Sequence, residues 1–163
     1  MQLGDPVLTT PARAIAPGEI GGETLRALLR DMAETLAAAG GVGLAAPQVG
    51  ESLRVILAGS FPTARNPDRP HVPTTAMLNP RIVLASGETE PGWEGCLSFL
   101  RLTVRVVRHV SVTVEYLTPE GAPARVEATA FHARVLQHEI DHLDGILTLD
   151  RAASPDDVRP AGS

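Results

Sequence analysis

The chain has 163 residues, 44% of them hydrophobic, with a formal net charge of −5, which suits one globular domain over 1–163 with a real core. The acidic balance and the lack of any Lys/Arg cluster exclude a direct nucleic-acid site, because no surface is basic enough to replace phosphate counterions. No apolar run approaches the roughly 20 residues that span a bilayer, and the first residues lack the basic-then-apolar pattern of a secretory signal; no membrane association and a cytoplasmic location are expected.

Residues 1–18 hold three prolines and little periodicity, which predicts an extended arm anchored by Val7 and Leu8. From Thr24 onward Leu25, Leu28, Leu29, Met32 and Leu36 recur at helical spacing, and Gly40-Gly41 ends the pattern. The next stretch, Gly41 to Gly50, is glycine-rich, but it follows a helix and lacks the Lys-Ser/Thr of a phosphate loop, so it is not a nucleotide site. Closely spaced glycines let a backbone approach a ligand or a strand, with Gln48 as a side-chain donor at the end of the loop. Arg54 to Ala58 reads as a buried strand and Phe61 to Pro73 as a Pro-rich surface loop in which His71 has no role. Ala76–Leu78 and Ile82–Ala85 read as two short strands broken by Asn79-Pro80. Val104–Val107 is another strand, Val110 to Tyr116 alternates with the period of a half-buried strand, and Thr118 to Gly121 turns it into a partner over Ala124–Thr129. A helix follows from near Phe131 to Gly145, and residues from about 152 to 163 read as a frayed tail. The order predicts an α+β fold: antiparallel strands packed around a central helix, with one further helix near the N-terminus.

The chemistry concentrates in Gln137-His138-Glu139-Ile140-Asp141-His142. Two histidines four apart share one helix face and can reach a single ion, while Glu139, about 100° round the helix, can reach a water beside it. Leu136, Ile140 and Leu143 form an apolar stripe on the other side. A third protein ligand is needed, leaving the fourth position to water. Proteases that use a downstream glutamate are excluded, since no Glu follows Glu139; those that extend the motif to a third histidine have Thr148 at that position instead. The lone cysteine, Cys96, cannot form an internal disulfide and is a small buried hydrophobe, a nucleophile or a metal ligand. With two histidines and a water it would complete a tetrahedral site.

Three stretches, Gly41–Gln48, Glu94–Ser98 and Gln137–His142 with Gly145, together resemble in order and spacing the three motifs of peptide deformylases. The resemblance extends to Gly4–Leu8 and to Leu149-Asp150-Arg151. It implies a metal-dependent hydrolase that removes the formyl group from the N-terminal formylmethionine of new polypeptides. It implies Cys96, His138 and His142 as metal ligands, Glu139 as general acid/base, and the Gln48 amide with the Leu97 backbone N–H as donors to the formyl oxygen. Backbone at Val42, Gly43 and Gly95 would hold an extended peptide, and Val42 and Val135 would line the methionine pocket. The resemblance implies Fe(II) as the metal, with Zn, Ni or Co able to replace it. The implied partner is a formylated peptide, with the ribosome-associated nascent chain as its source, and the chain is read as a monomer.

The pattern departs from the family just after Ser98, where Leu100 stands for a usual proline and Thr103 for a usual arginine, and before the metal helix, where Ala130 stands for a common glycine and His132 for an aliphatic. These positions adjoin the peptide cleft. A hydrolase acting on another N-formyl compound and a non-catalytic binding paralogue are the alternative readings. Trp93 is expected to serve packing, His109 and His132 to be surface or strand residues, and Asp141 to face solvent or Arg134.

Overall fold

The computed structural model describes residues 1–62 and 67–162. An N-terminal arm with a 3-10 turn over Pro6–Thr9 leads to helix α1 (Glu23–Ala39). Then come strands β1 (Gly43–Ala45), β2 (Val55–Ser60), β3 (Val72–Ala85), β4 (Thr89–Gly95), β5 (Leu102–His109), β6 (Ser111–Leu117) and β7 (Pro123–Thr129), helix α2 (Ala130–Leu143), and a short β8 (Val158–Pro160). One antiparallel sheet has the order β1-β2-β3-β6-β7 and a second has β4-β5-β8. The expected α+β architecture is present, with strands around a central helix.

That helix is buried to an unusual degree: every residue from His132 to Leu143 is largely covered. Leu136 and Leu143 are fully covered and Ile140 nearly so, joining Ile56 and Ala58 of β2 and Val112 and Val114 of β6 in the main core. Burial of each such aliphatic side chain contributes about 2 kcal/mol. The opposite face is therefore polar and also buried, which is the environment a reactive centre needs. Gly145 ends the helix region at φ +72, and a Cβ there would meet the Thr9 backbone at 2.9 Å. The glycine thus permits both the left-handed turn and the arm that crosses it, where the Ala12 N–H donates to the Leu143 carbonyl at 2.8 Å. Leu8, fully buried, anchors that arm as expected. Helix α1 closes at Gly40, φ +60, as its Gly-Gly end predicts.

Three expectations change. Asn79-Pro80 does not break the third strand: β3 runs through it with a bulge between Leu78 and Arg81. Asn79 takes the left-handed conformation, φ 50, and its side-chain amide accepts from the Ile15 N–H and donates to the Ile15 carbonyl, a substitute for strand pairing. The tail is not frayed: β8 pairs antiparallel with β5, and Asp157 receives Arg105 at 2.7 Å. A three-residue strand has no sequence periodicity to announce it; its partner decides it. Of the Pro-rich loop, residues 63–66 lie outside the described residues; His71 is exposed, and Val72 and Pro73 already belong to β3.

Ala130 opens α2 with φ +49 and is exposed. A left-handed Ala is strained by about 1 kcal/mol, a strain glycine lacks. Ala130→Gly is therefore expected to raise Tm by about 2–4 °C in thermal unfolding; an unchanged or lower Tm would show that the backbone relaxes at no cost.

Candidate active site

Cys96 leaves the end of β4 at a tight turn, and α2 presents His138 and His142 one turn apart; their ligand atoms all lie within 4.8 Å of one another, and all three residues are buried. His142 Nε2 is 3.4 Å from Cys96 Sγ. His138 is oriented from behind: its Nδ1 lies 2.9 Å from Glu94 Oε2. An ionised carboxylate only accepts, so Nδ1 carries the proton and Nε2 points into the cluster. Burial alone would lower the His138 pKa, but hydrogen bonds to Cys96 and Glu94 and the charge of Glu139 outweigh it and push it up to about 10. A cysteine sulfur and two imidazoles beside the cleft form a donor set suited to a divalent transition-metal ion. His142 shows the reverse: burial first, then the charges of His138 and Arg108, holds it at about 3, so its ring stays neutral as a ligand must.

Glu139 follows His138 on the helix and packs its carboxylate against Gly43 so closely that a Cβ there would overlap Oε1. Its Oε2 is buried with no hydrogen-bond partner among the described residues, and burial above all raises its pKa to about 7. A carboxylate near neutrality, facing a cleft, is suited to accept and return a proton. Gln48 sits in the turn after β1. Its Oε1 accepts from the Ala45 N–H at 2.9 Å, which fixes the amide so that Nε2 points at Cys96 Sγ, 3.6 Å away, and Ser98 Oγ, 3.3 Å away. Leu97, Val42, Gly43, Gly95 and Val135 line the same cleft of about 840 Å³ as Glu139, Cys96 and His138. The site residues that the resemblance implied therefore lie together, with His142 buried beside Cys96. β1 and β4 each stand at an edge of their sheets, so the cleft has unpaired strand backbone on both sides.

Sequence reasoning missed the support behind the site. Glu94, 6% exposed, accepts from Arg108 through both oxygens at 3.0 Å, from Arg134 at 2.9 Å and from His138. Desolvation works against its charge, yet His138 and Arg108 hold its pKa at about 2. Asp141 does not face solvent or Arg134; it is buried and takes Arg108 and Arg151. Arg134 instead donates to Glu94 and to the Val106 and Glu90 carbonyls, and a Cβ at Gly92 would lie 2.7 Å from its guanidinium carbon, which is why a glycine stands there. His132 is buried on α2 rather than a surface or strand residue, whereas His109 is an exposed strand residue. Trp93 is 39% exposed at the cleft and is not core packing. The one available signal for Glu94 was its place two residues before the cysteine; nothing in sequence tells that its side chain turns inward.

A Cys/His/His trio with a buried glutamate, set on an internal helix between two strand edges, defines a metal-dependent hydrolase. A family model described as polypeptide deformylase matches residues 1–158. The chain is 43% identical over 154 residues to peptide deformylase 2 of Nostoc sp., covering 94% of this chain and 85% of that protein, and 47% identical over 148 residues to peptide deformylase 2 of Bordetella bronchiseptica, covering 90% and 82%. It superposes with a TM-score of 0.89 on the Met-Ala-Ser-bound crystal structure of a class I type b peptide deformylase from Acinetobacter baumannii, at 39% identity and covering 92% of this chain and 94% of that one. The chain belongs to the polypeptide deformylase family.

The Glu94 network leads to two expected outcomes. Glu94→Gln, which keeps the shape and loses the charge, should weaken metal retention about 10- to 100-fold in chelator competition, because His138 loses its orienting anion. Glu94→Ala, which leaves Arg108 and Arg134 buried and short of an anion, should cost about 3–5 kcal/mol in urea unfolding. Unchanged metal affinity in the first variant would show that His138 needs no such anchor.

Proposed function

We propose that this chain hydrolyses the N-formyl group of peptides beginning with formylmethionine, releasing formate and a free amine, with a metal held by Cys96, His138 and His142. The carrying observation is the single cleft in which these ligands, Glu139 and Gln48 meet between the edges of β1 and β4. A divalent ion held there by Cys96, His138 and His142 would supply Lewis acidity to a water and to the formyl carbonyl.

The chain's own residues do the rest. A peptide entering in extended form pairs with backbone at Val42 and Gly43 on one side and Gly95 on the other, in the manner of an added strand. Val42 and Val135 cover its methionine side chain. Glu139 accepts the proton of the attacking water, and as the C–N bond breaks it delivers that proton to the departing nitrogen. Charge that builds on the formyl oxygen is met by Gln48 Nε2 and the Leu97 backbone N–H. Such a donor lowers the barrier by about 3 kcal/mol, because the Ala45 contact has already fixed the amide and little reorganisation remains. The Met-Ala-Ser bound to the Acinetobacter relative supports a peptide occupant for the equivalent cleft. The substrate source is the ribosome-associated nascent chain, the protein acts in the cytoplasm as a monomer, and Fe(II) is the working metal.

Formate release from formyl-Met-Ala peptides tests the reading directly, and Glu139→Gln tests its centre: metal content should stay at one ion per chain while kcat falls by at least about 100-fold. Retained turnover in that variant would remove Glu139 from the proton path. Iron-loaded enzyme should lose activity in air and the nickel-loaded form should keep it, since a thiolate-bound ferrous ion open to solvent is oxidisable; equal lifetimes would argue against iron.

A further inference from the structure

The outer wall of the cleft has a feature that the reaction centre does not use. Gly95 of β4 stands opposite Thr103 of β5, and Thr103 stands opposite Arg159 of β8. Directly paired residues project to the same face of a sheet, so these three form one row, and Trp93, two residues before Gly95, shares their face. All four line the cleft. The row is built as a trough: Gly95 has no side chain, with open space where a Cβ would be, and Thr103 is short. Across it lies the Arg159 side chain, its guanidinium carbon 3.7 Å from the Trp93 ring centroid. A guanidinium stacked in this way is held in place without consuming its hydrogen-bonding edge.

That edge is free. Arg159 makes no ion pair, and its Nε, like Thr103 Oγ1, is buried with no hydrogen-bond partner among the described residues. A second arginine, Arg69, lines the cleft with its guanidinium over Phe131, also unpaired with any described acid. The described carboxylates that line the cleft are Glu94 and Glu139. Glu94 is neutralised by Arg108, Arg134 and His138, and Glu139 belongs to the reaction centre. The mouth is thus cationic in a chain that is acidic overall.

We infer that Arg159, carried by the C-terminal strand, is a specificity-determining residue that selects substrates with an acidic side chain at the second or third residue. The register supplies the position. Trp93 lies three residues before Cys96, about 10 Å along an extended strand, which is the span from the formyl carbon to the third residue of a peptide lying along β4, with the second residue one step nearer the site. The inference rests on the deformylase reading above.

The test uses metal-loaded full-length chain and C-terminally amidated formyl-Met-Ala-Glu, formyl-Met-Ala-Gln and formyl-Met-Ala-Lys, with the matching series varied at the second residue. The native chain should favour Glu over Lys in at least one series by about five- to tenfold in kcat/KM at low salt, expressed in KM and not in kcat. Arg159→Gln should bring that ratio near one, Arg159→Glu should invert it, and Arg159→Lys should keep most of it. A ratio in Arg159→Glu equal to that of the native chain overturns the inference, as does a native ratio near one in both series. Should the variants lose β8, the native chain decides alone: the preference should vanish towards about 1 M salt, where charges are screened beyond ~3 Å, and a salt-independent ratio also overturns it. No formate from any peptide would overturn the deformylase reading itself, a different outcome from equal turnover of Glu and Lys peptides.

Discussion

The contact on which the site depends is the one between Glu94 and His138, 2.9 Å apart and shut away from solvent. Taken singly, a carboxylate and an imidazole at that depth would each be expensive to bury. They persist because Arg108 arrives from β5 and Arg134 from one turn earlier on α2 itself, and because Asp141 and Arg151 close the chain of charges on the far side. The network ties β4, β5 and α2 together at the point where the ligands must converge. It also determines which imidazole nitrogen faces the cluster, so the same bonds that hold the fold decide the chemistry.

Apolar packing and this polar layer divide the labour around α2. The Leu136, Ile140 and Leu143 stripe seats the helix against β2 and β6, a non-directional force that fixes depth but not rotation. The charged layer, being directional, fixes the rotation to within a hydrogen bond. Placement of Glu139 against Gly43 follows from both: the helix comes close enough to exclude a side chain at that glycine, and its carboxylate is left with one buried oxygen that has no hydrogen-bond partner among the described residues. The two sheets supply what the helix cannot, a pair of strand edges, β1 and β4, flanking the cleft.

The position of Thr103 shows how a local reading and a tertiary one differ. In sequence it is the loss of a long donor beside the cleft. In the fold it is the floor of a trough opposite Arg159, and the short side chain is what lets a guanidinium from a different strand lie over Trp93. Leu100, 68% exposed nearby, has no explanation in the structure.

The sequence by itself determined the candidate ligand types: two histidines four apart, an acid between them, one cysteine, and the missing third ligands of the protease sets. It also determined α1, α2 and the alternating strand Ser111–Leu117, because helical and strand periodicities are local and the apolar stripes that carry them are strong. Tertiary structure alone decided that Glu94 and Asp141 turn inward, that Asn79 bulges a continuous strand by pairing with Ile15, and that the last residues form β8. Each of these depends on a partner tens of residues away, and neither a three-residue strand nor a buried charge has a pattern of its own. Their stability comes from the partner, and only folding brings the partner near.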